Sequence, residues 1–269
     1  MTARNGYCNL AELRSHLPGG DSLTVMNAEQ AIEAASQAIW LYSGRNFVPY
    51  IRTNVYDIPR KPELCLHDDL LEVITITNGN GDAVVDYRAW PYNWTPKASI
   101  MLNPASTVYW MESATTWQQA AIQLLGVWGF HSDYAQAWDS ITTLSAGINA
   151  SVTTITPASS IGLSAGDIIR IDNELHQIEA VADGIPSITV KRAWNSSTAA
   201  SHLPGAALKL WRIEPSIKRA ALIQAARYYM RGYTVYGTTG GGDMGVQSVA
   251  IPQLDPDVAA IVDQYKTRL

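Results

Sequence analysis

The sequence predicts an α+β fold: a small helical bundle with an antiparallel β region, plus an inserted all-β domain built as a barrel or sandwich. Three observations lead there. Apolar residues recur at helical spacing near both ends of the chain. β-branched and aromatic runs bounded by turns occupy 50–130, and a second set of short strands separated by Gly, Asn and Asp turns runs from 142 to 211. The expected organisation is therefore one discontinuous domain, 1–141 with 212–269, interrupted by a β domain over 142–211.

The first helix is expected from Asn9, whose side chain can cap a backbone N–H while Glu12 reaches back, to His16 ahead of Pro18 and Gly19-Gly20. A longer helix is expected from Asn27, with Gln30 in the matching position. It would bury Ala28, Ala31, Ile32, Ala35, Ile39 and Tyr42 and stop at Gly44. Strands are expected at Tyr50–Tyr56, Leu71–Thr77 and Ala121–Trp128, with Asn78–Asp82 as a hairpin loop. In the second β pattern the strands are Val152–Ile155, Asp167–Asp172, Glu174–Val181, Ser187–Val190 and Ala207–Leu210. Pro215 opens a third helix that runs to Arg231. A glycine-rich loop over 237–245 leads to a last helix with Asp255 as cap, Pro256 at its first position and Val258, Ile261, Val262, Tyr265 and Leu269 along one stripe.

Composition restricts the function. With 47% hydrophobic and 16% charged residues the 269-residue chain is globular. Its 19 Lys and Arg against 24 Asp and Glu give a net charge of −5, without the basic blocks that supply non-specific nucleic-acid affinity. Cys8 and Cys65 fit neither a zinc knuckle nor a redox pair and read as packing residues. The N-terminus lacks a signal pattern and no run reaches the length of a membrane span, so the expected setting is the cytosol, with no membrane partner.

Several motifs suggest chemistry and then lose it on context. Gly162-Leu163-Ser164-Ala165-Gly166 matches a hydrolase nucleophile elbow, with Asp172, His176 and His202 after it, but a strand follows where the elbow needs a helix. Asp172, Glu174, His176 and His202 could converge on a metal. Strand alternation puts the first three on one face, yet no paired-ligand spacing is present, and a solvated face is the favoured reading. The glycine loop lacks a Gly-Lys-Ser/Thr step and so is no phosphate cradle. Lys218, Arg219, Arg227 and Arg231 form a basic stripe on the third long helix, read as solvated or paired within the chain. Nine Trp and thirteen Tyr against two Phe favour positions where a ring edge meets water or a partner. The expectation is no catalytic residue, no metal site and no cofactor.

Seven segments carry a family likeness: Tyr7–Leu13, Ala31–Ile39, Ser43-Gly44-Arg45-Asn46-Phe47, Asp68–Val73, Gly126–Phe130, Glu214–Ala221 and Leu254–Val258. Together they resemble the head-tail connector, or adaptor, proteins of tailed bacteriophages, across the chain outside 142–211. The resemblance implies a structural virion protein of the neck, not an enzyme, assembled in the host cytoplasm. It implies a homo-oligomeric ring, usually of twelve subunits, between the portal protein and a tail-completion or stopper protein. DNA would pass through the lumen without specific binding, which suits an acidic chain. For the portal contact the expected anchors are Val258, Ile261, Tyr265 and Leu269, the competing reading being that this stripe packs on the subunit's own helices. Two other function classes stay open: a glycan-binding virion module using Trp194, Trp211 and His202, and a serine hydrolase centred on Ser164.

Overall fold

Local chemistry sets the helix ends. The computed structural model of the protein describes residues 4–105, 107–233 and 254–266. Helix α1 (Leu10–His16) starts at a complete capping box: Asn9 accepts from the Glu12 N–H and the Glu12 carboxylate accepts from the Asn9 N–H, both at 2.9 Å. Helix α2 (Val25–Ser43) begins two residues earlier than expected. Thr24 is its N-cap, and its carbonyl accepts from Ala28 N–H, so Asn27 lies inside the first turn and forms no box with Gln30. Gly44 ends the helix in the left-handed conformation at φ 70°, its N–H donating to the Trp40 carbonyl. The buried stripe is Ala28, Ala31, Ile32, Ala35, Ser36, Ile39 and Ser43, and Tyr42 is turned out.

Helix α3 (Pro215–Tyr233) buries Ile217, Ala220, Ala221, Gln224 and Ala225. It runs antiparallel to α2, because the Tyr229 hydroxyl near its end accepts from the Thr24 N–H at the start of α2. Helix α4 (Pro256–Val262), capped by Asp255, is followed by one turn of 3-10 helix over Asp263–Tyr265. Its start is tied to α3 by Gln224, which accepts from Asp255 N–H, and by the Arg227–Asp255 ion pair at 2.8 Å. The chain divides into two units: Met1–Arg45, Ser164–Gly166 and Pro215–Leu269, which holds the helices, and Asn46–Leu163 with Asp167–Glu214, which holds both sheets. All eleven strands of the described residues lie in one unit.

The first sheet has five antiparallel strands: β1 (Tyr50–Tyr56), β2 (Glu63–Thr77), β3 (Tyr87–Trp90), β4 (Lys97–Leu102) and β5 (Ile122–Trp128), in the order β1-β5-β2-β4-β3. Its core gathers Leu70, Ile76, Ile100, Ile122, Leu124 and Trp128. Gly126 lets β5 lie between β1 and β2, because a Cβ there would meet the Glu72 carbonyl oxygen at 2.7 Å.

The second sheet has six antiparallel strands: β6 (Trp138–Thr143), β7 (Thr154–Ile155), β8 (Ile168–Ile171), β9 (Glu174–Val181), β10 (Ile188–Lys191) and β11 (Ala207–Trp211), in the order β6-β11-β8-β9-β10-β7. It starts earlier than 142 because Trp138–Thr143 pairs with β11. The sheet does not close into a barrel, one of the two forms expected for it. Among the described residues its edge strands are joined only by the isolated bridge Leu144–Pro157, with Ser145 N–H donating to Thr156 and Ala158 N–H to Thr143. Proline has no N–H, so a ladder cannot run through 157. Inside lie Leu144, Ile155, Ile169, Ile171, Ile178, Ile188, Leu208 and Leu210.

Arg170 clamps the two sheets. From β8 its Nη1 reaches the Glu72 carboxylate of β2 at 2.7 Å, Nε donates to the Asp172 carbonyl, Nη2 donates to Asn173, and the Trp138 ring lies 5.9 Å from its guanidinium carbon. Tyr134 donates to the same carboxylate. Burial alone would raise the Glu72 pKa, but the Arg170 and Tyr134 hydrogen bonds outweigh it and hold the carboxyl below its ordinary value. Asn195, which donates to the Pro49 carbonyl, and Trp211, which donates to the Phe47 carbonyl, complete the attachment.

Candidate functional site

The densest group of ionisable side chains sits where the hairpin between β8 and β9 meets the chain leaving β10. Asp172 and Asn173 form the two-residue turn, Asp172 at φ 51°, and this delivers Glu174 as the first residue of β9 with His176 two places on, on the same face. After β10, Arg192 leads into a loop with left-handed backbone at Ala193, Asn195 and Ser196, three non-glycine residues that hold this shape only where their surroundings fix it.

What fixes it is the carboxylate of Glu174, which is fully buried. One oxygen accepts from Arg192 Nε (2.7 Å) and Ala193 N–H (3.0 Å), the other from Arg192 Nη2 (2.8 Å), Ala200 N–H (2.9 Å) and His202 Nε2 (3.0 Å). Arg192 is equally satisfied. Its remaining N–H groups donate to the carbonyls of Asn149, Val152 and Ala200, so all five donors have acceptors. The pair thus pins four segments: 149–152, the 172–174 turn, 192–193 and 200–202.

The histidines flank this hub. His202 Nδ1 lies 2.8 Å from Asp172 and Nε2 3.0 Å from Glu174, so the ring bridges the two carboxylates. His176 is fully buried, and its Nε2 lies 3.3 Å from Glu174, outside hydrogen-bond geometry. Burial pushes the His176 pKa down to about 4, with Arg192 and His202 acting the same way against Glu174. For Glu174 burial acts upward, but the Arg192 hydrogen bonds and the Ala200 N–H bring it down to about 2. A cleft of about 380 Å³ opens beside the group, lined by Thr53, Asp172, Asn173, Ser196, Ser201 and His202 among others.

The solvated face favoured from the sequence is not formed: Glu174, His176 and His202 are buried, and with Asp172 2.8 Å from His202 the four side chains converge. Donor atoms of Glu174, His176 and His202 lie within 4.8 Å of one another, close enough to surround one cation. Yet each Glu174 oxygen already accepts from Arg192 and a backbone N–H, and a cation would have to displace that guanidinium. The arrangement acts as a charge-balanced clasp on the loop. Arg192, its organising member, carries no local sequence signal.

The other sequence-predicted residues are placed as follows. Ser164 groups with the helical unit, and the strand after it, β8, begins at Ile168 with no helix between, so the elbow geometry is not formed. Trp211 is buried, its indole N–H held by the Phe47 carbonyl, and Trp194 is half-buried with Lys191 5.5 Å from its ring centre. Val258 and Val262 are fully buried within the helical unit, Ile261 and Tyr265 half-buried, while Leu269 and the glycine loop 237–245 lie outside the described residues. In the basic stripe, Lys218 pairs with Glu12 (2.7 Å) and Arg227 with Asp255, the intramolecular pairing weighed for them. Large apolar side chains stand open elsewhere: Val25, Met26, Trp40, Leu41 and Met230 on the helices, Trp90, Tyr92 and Trp94 at one end of β4, and Tyr109, Met111 and Trp117 beyond its other end. Lys97 stiffens the first of these loops by donating to the carbonyls of Pro91, Tyr92 and Trp94. Comparison with protein-family models, with curated proteins and with solved structures finds no match to the chain.

Proposed function

We propose that this chain is a head-tail connector subunit of a tailed bacteriophage, a structural virion protein that forms a ring, of twelve copies by the family resemblance, between the portal and the tail-completion or stopper protein. The observation that carries the proposal is the set of large apolar side chains left open. Trp, Tyr and Met are the side chains enriched in buried protein interfaces, and a contact between subunits needs on the order of 800 Å² from each side. Here they occur in three places, on α2 and α3 and beyond each end of β4. A subunit with neighbours on either side and proteins above and below needs several contact faces, whereas an isolated monomer needs none.

On this reading the helices and the first sheet form the connector core, and the six-stranded sheet is an all-β elaboration of it. The clasp at Glu174 fixes its loops, and the Arg170 clamp ties it to the first sheet. The net charge of −5 suits a channel wall past which DNA slides without adhering. Portal docking through α4 falls to Ile261 and Tyr265, since Val258 already packs inside the helical unit.

The test is electron microscopy of the full-length protein purified with its partners from virus-producing cells, scoring rotational symmetry and identifying partners by mass. A multi-subunit ring seated on a portal is the expected result. A lone monomer without virion partners overturns the proposal.

A further inference from the structure

Helices α2 and α3 are of equal length and opposite charge. The nineteen residues of α2 include Glu29 and Glu33 and no Lys or Arg, while the nineteen of α3 include Lys218, Arg219, Arg227 and Arg231 and no Asp or Glu. They pack against each other through their buried stripes, so each turns a second stripe outward. On α2 the outward stripe is Met26, Gln30, Glu33, Gln37 and Trp40, at i, i+4, i+7, i+11 and i+14, all exposed, with Met26 62% and Trp40 45% open. On α3 it is Ser216, Arg219, Ile223, Ala226 and Met230, at i, i+3, i+7, i+10 and i+14. There Ile223 and Ala226 are half-buried and Met230 is 55% open. Lys218 and Arg227 are engaged by Glu12 and Asp255, whereas Glu33 and Arg219 are exposed and make no ion pair within the chain among the described residues.

We infer that neighbouring copies in the ring meet through these two stripes, the α2 face of one copy lying on the α3 face of the next. This rests on the connector reading and names the surface that reading requires. Two unlike faces on opposite sides of one helix pair make a head-to-tail contact, which is the kind that closes into a ring by rotation. Charge complementarity selects the occupant: the one charge on the α2 stripe, Glu33, is acidic and the one on the α3 stripe, Arg219, is basic, so unlike faces attract and like faces repel. The apolar ends supply the burial, Met26 and Trp40 on one side against Ile223 and Met230 on the other. Each helix is about 28 Å long at 1.5 Å per residue, enough for several turns of contact.

The experiment uses the full chain and three variants, Glu33→Arg, Arg219→Glu and the double exchange. Native mass spectrometry and negative-stain microscopy at matched concentration read the assembled fraction, and circular dichroism checks the fold. Each single reversal places like charges across every contact and is expected to lower the assembled fraction at least about tenfold, and the double exchange to restore it. Unchanged rings in both single variants, or a double exchange that fails to recover, overturn this interface and leave the connector reading standing. A wild-type chain that never assembles, alone or on its partners from virus-producing cells, overturns both.

Discussion

Replacing Glu174 by Gln tests the clasp most directly. The substitution keeps the volume and removes the charge, and the amide presents one acceptor oxygen and one NH2 where the carboxylate accepts from Arg192 and two backbone N–H groups. Arg192, with its side chain 7% exposed, is left as a buried cation without its counter-charge. Breaking a buried ion pair from one side costs about 3–5 kcal/mol. At about 2–4 °C per kcal/mol for a domain of this size, Tm falls by roughly 10 °C. Tryptophan fluorescence in urea and thermal melts reads this well, because every Trp except Trp40 lies in the β unit. The control is Glu179→Gln, which removes an exposed pair with Lys191 at 3.5 Å and is expected to cost less than about 1 kcal/mol. A Glu174→Gln protein within about 1 kcal/mol of wild type refutes the reasoning, since a buried guanidinium cannot lose its partner at that cost.

Acid stability follows from the two shifted groups. His176 titrates near 4 in the folded protein against an ordinary 6.5, so the unfolded chain takes up the proton first and stability falls as pH drops from about 6.5 to about 4, by on the order of 3 kcal/mol. Glu174, held near 2, adds a second loss between about pH 4.5 and 2. His176→Leu removes the upper part of that slope, and urea midpoints at pH 7 and pH 5 should then differ less than in wild type. Arg170→Met keeps the apolar stem but releases Glu72, Asn173 and the Asp172 carbonyl; a loss of about 1–3 kcal/mol is expected, with faster amide exchange at 170–174. An unchanged exchange pattern counts against the clamp. Burial pushes the Cys8 thiol up to about 12, while Cys65 is exposed, so a thiol reagent on the folded protein should label one cysteine, at 65. Labelling of Cys8 at a comparable rate would contradict its placement.

Elements with a chemical start or stop were legible in the sequence: the Asn9–Glu12 box, Gly44 after α2, Pro215 opening α3, and Asp255-Pro256 opening α4. Strands β1 and β9 were found at the expected bounds, because their patterning is local. Strands β3, β4 and β6 were not foreseen. Each is short; β4 and β6 exist through pairing with segments far along the chain, β2 and β11, and β3 is the outer strand beside β4. The start of α2 was misplaced because Asn27 resembles a cap, while the carbonyl that begins the ladder belongs to Thr24. At the site, period-2 alternation foretold that Glu174 and His176 share a face. Arg192 was missed because it lies eighteen residues from Glu174, and a guanidinium that finds its carboxylate only after the hairpins fold has no signature along the chain.

The lone Leu144–Pro157 bridge bears on life in a crowd. In a ring of the kind proposed, identical strands of neighbouring copies would be held close together, the condition under which a bare sheet margin recruits strands from its neighbours and nucleates fibres. By curling until β6 and β7 nearly touch, the second sheet hides both margins from other copies, and a proline at the meeting point offers no N–H to an intruding strand. At that seam each edge of the sheet has the other as its partner.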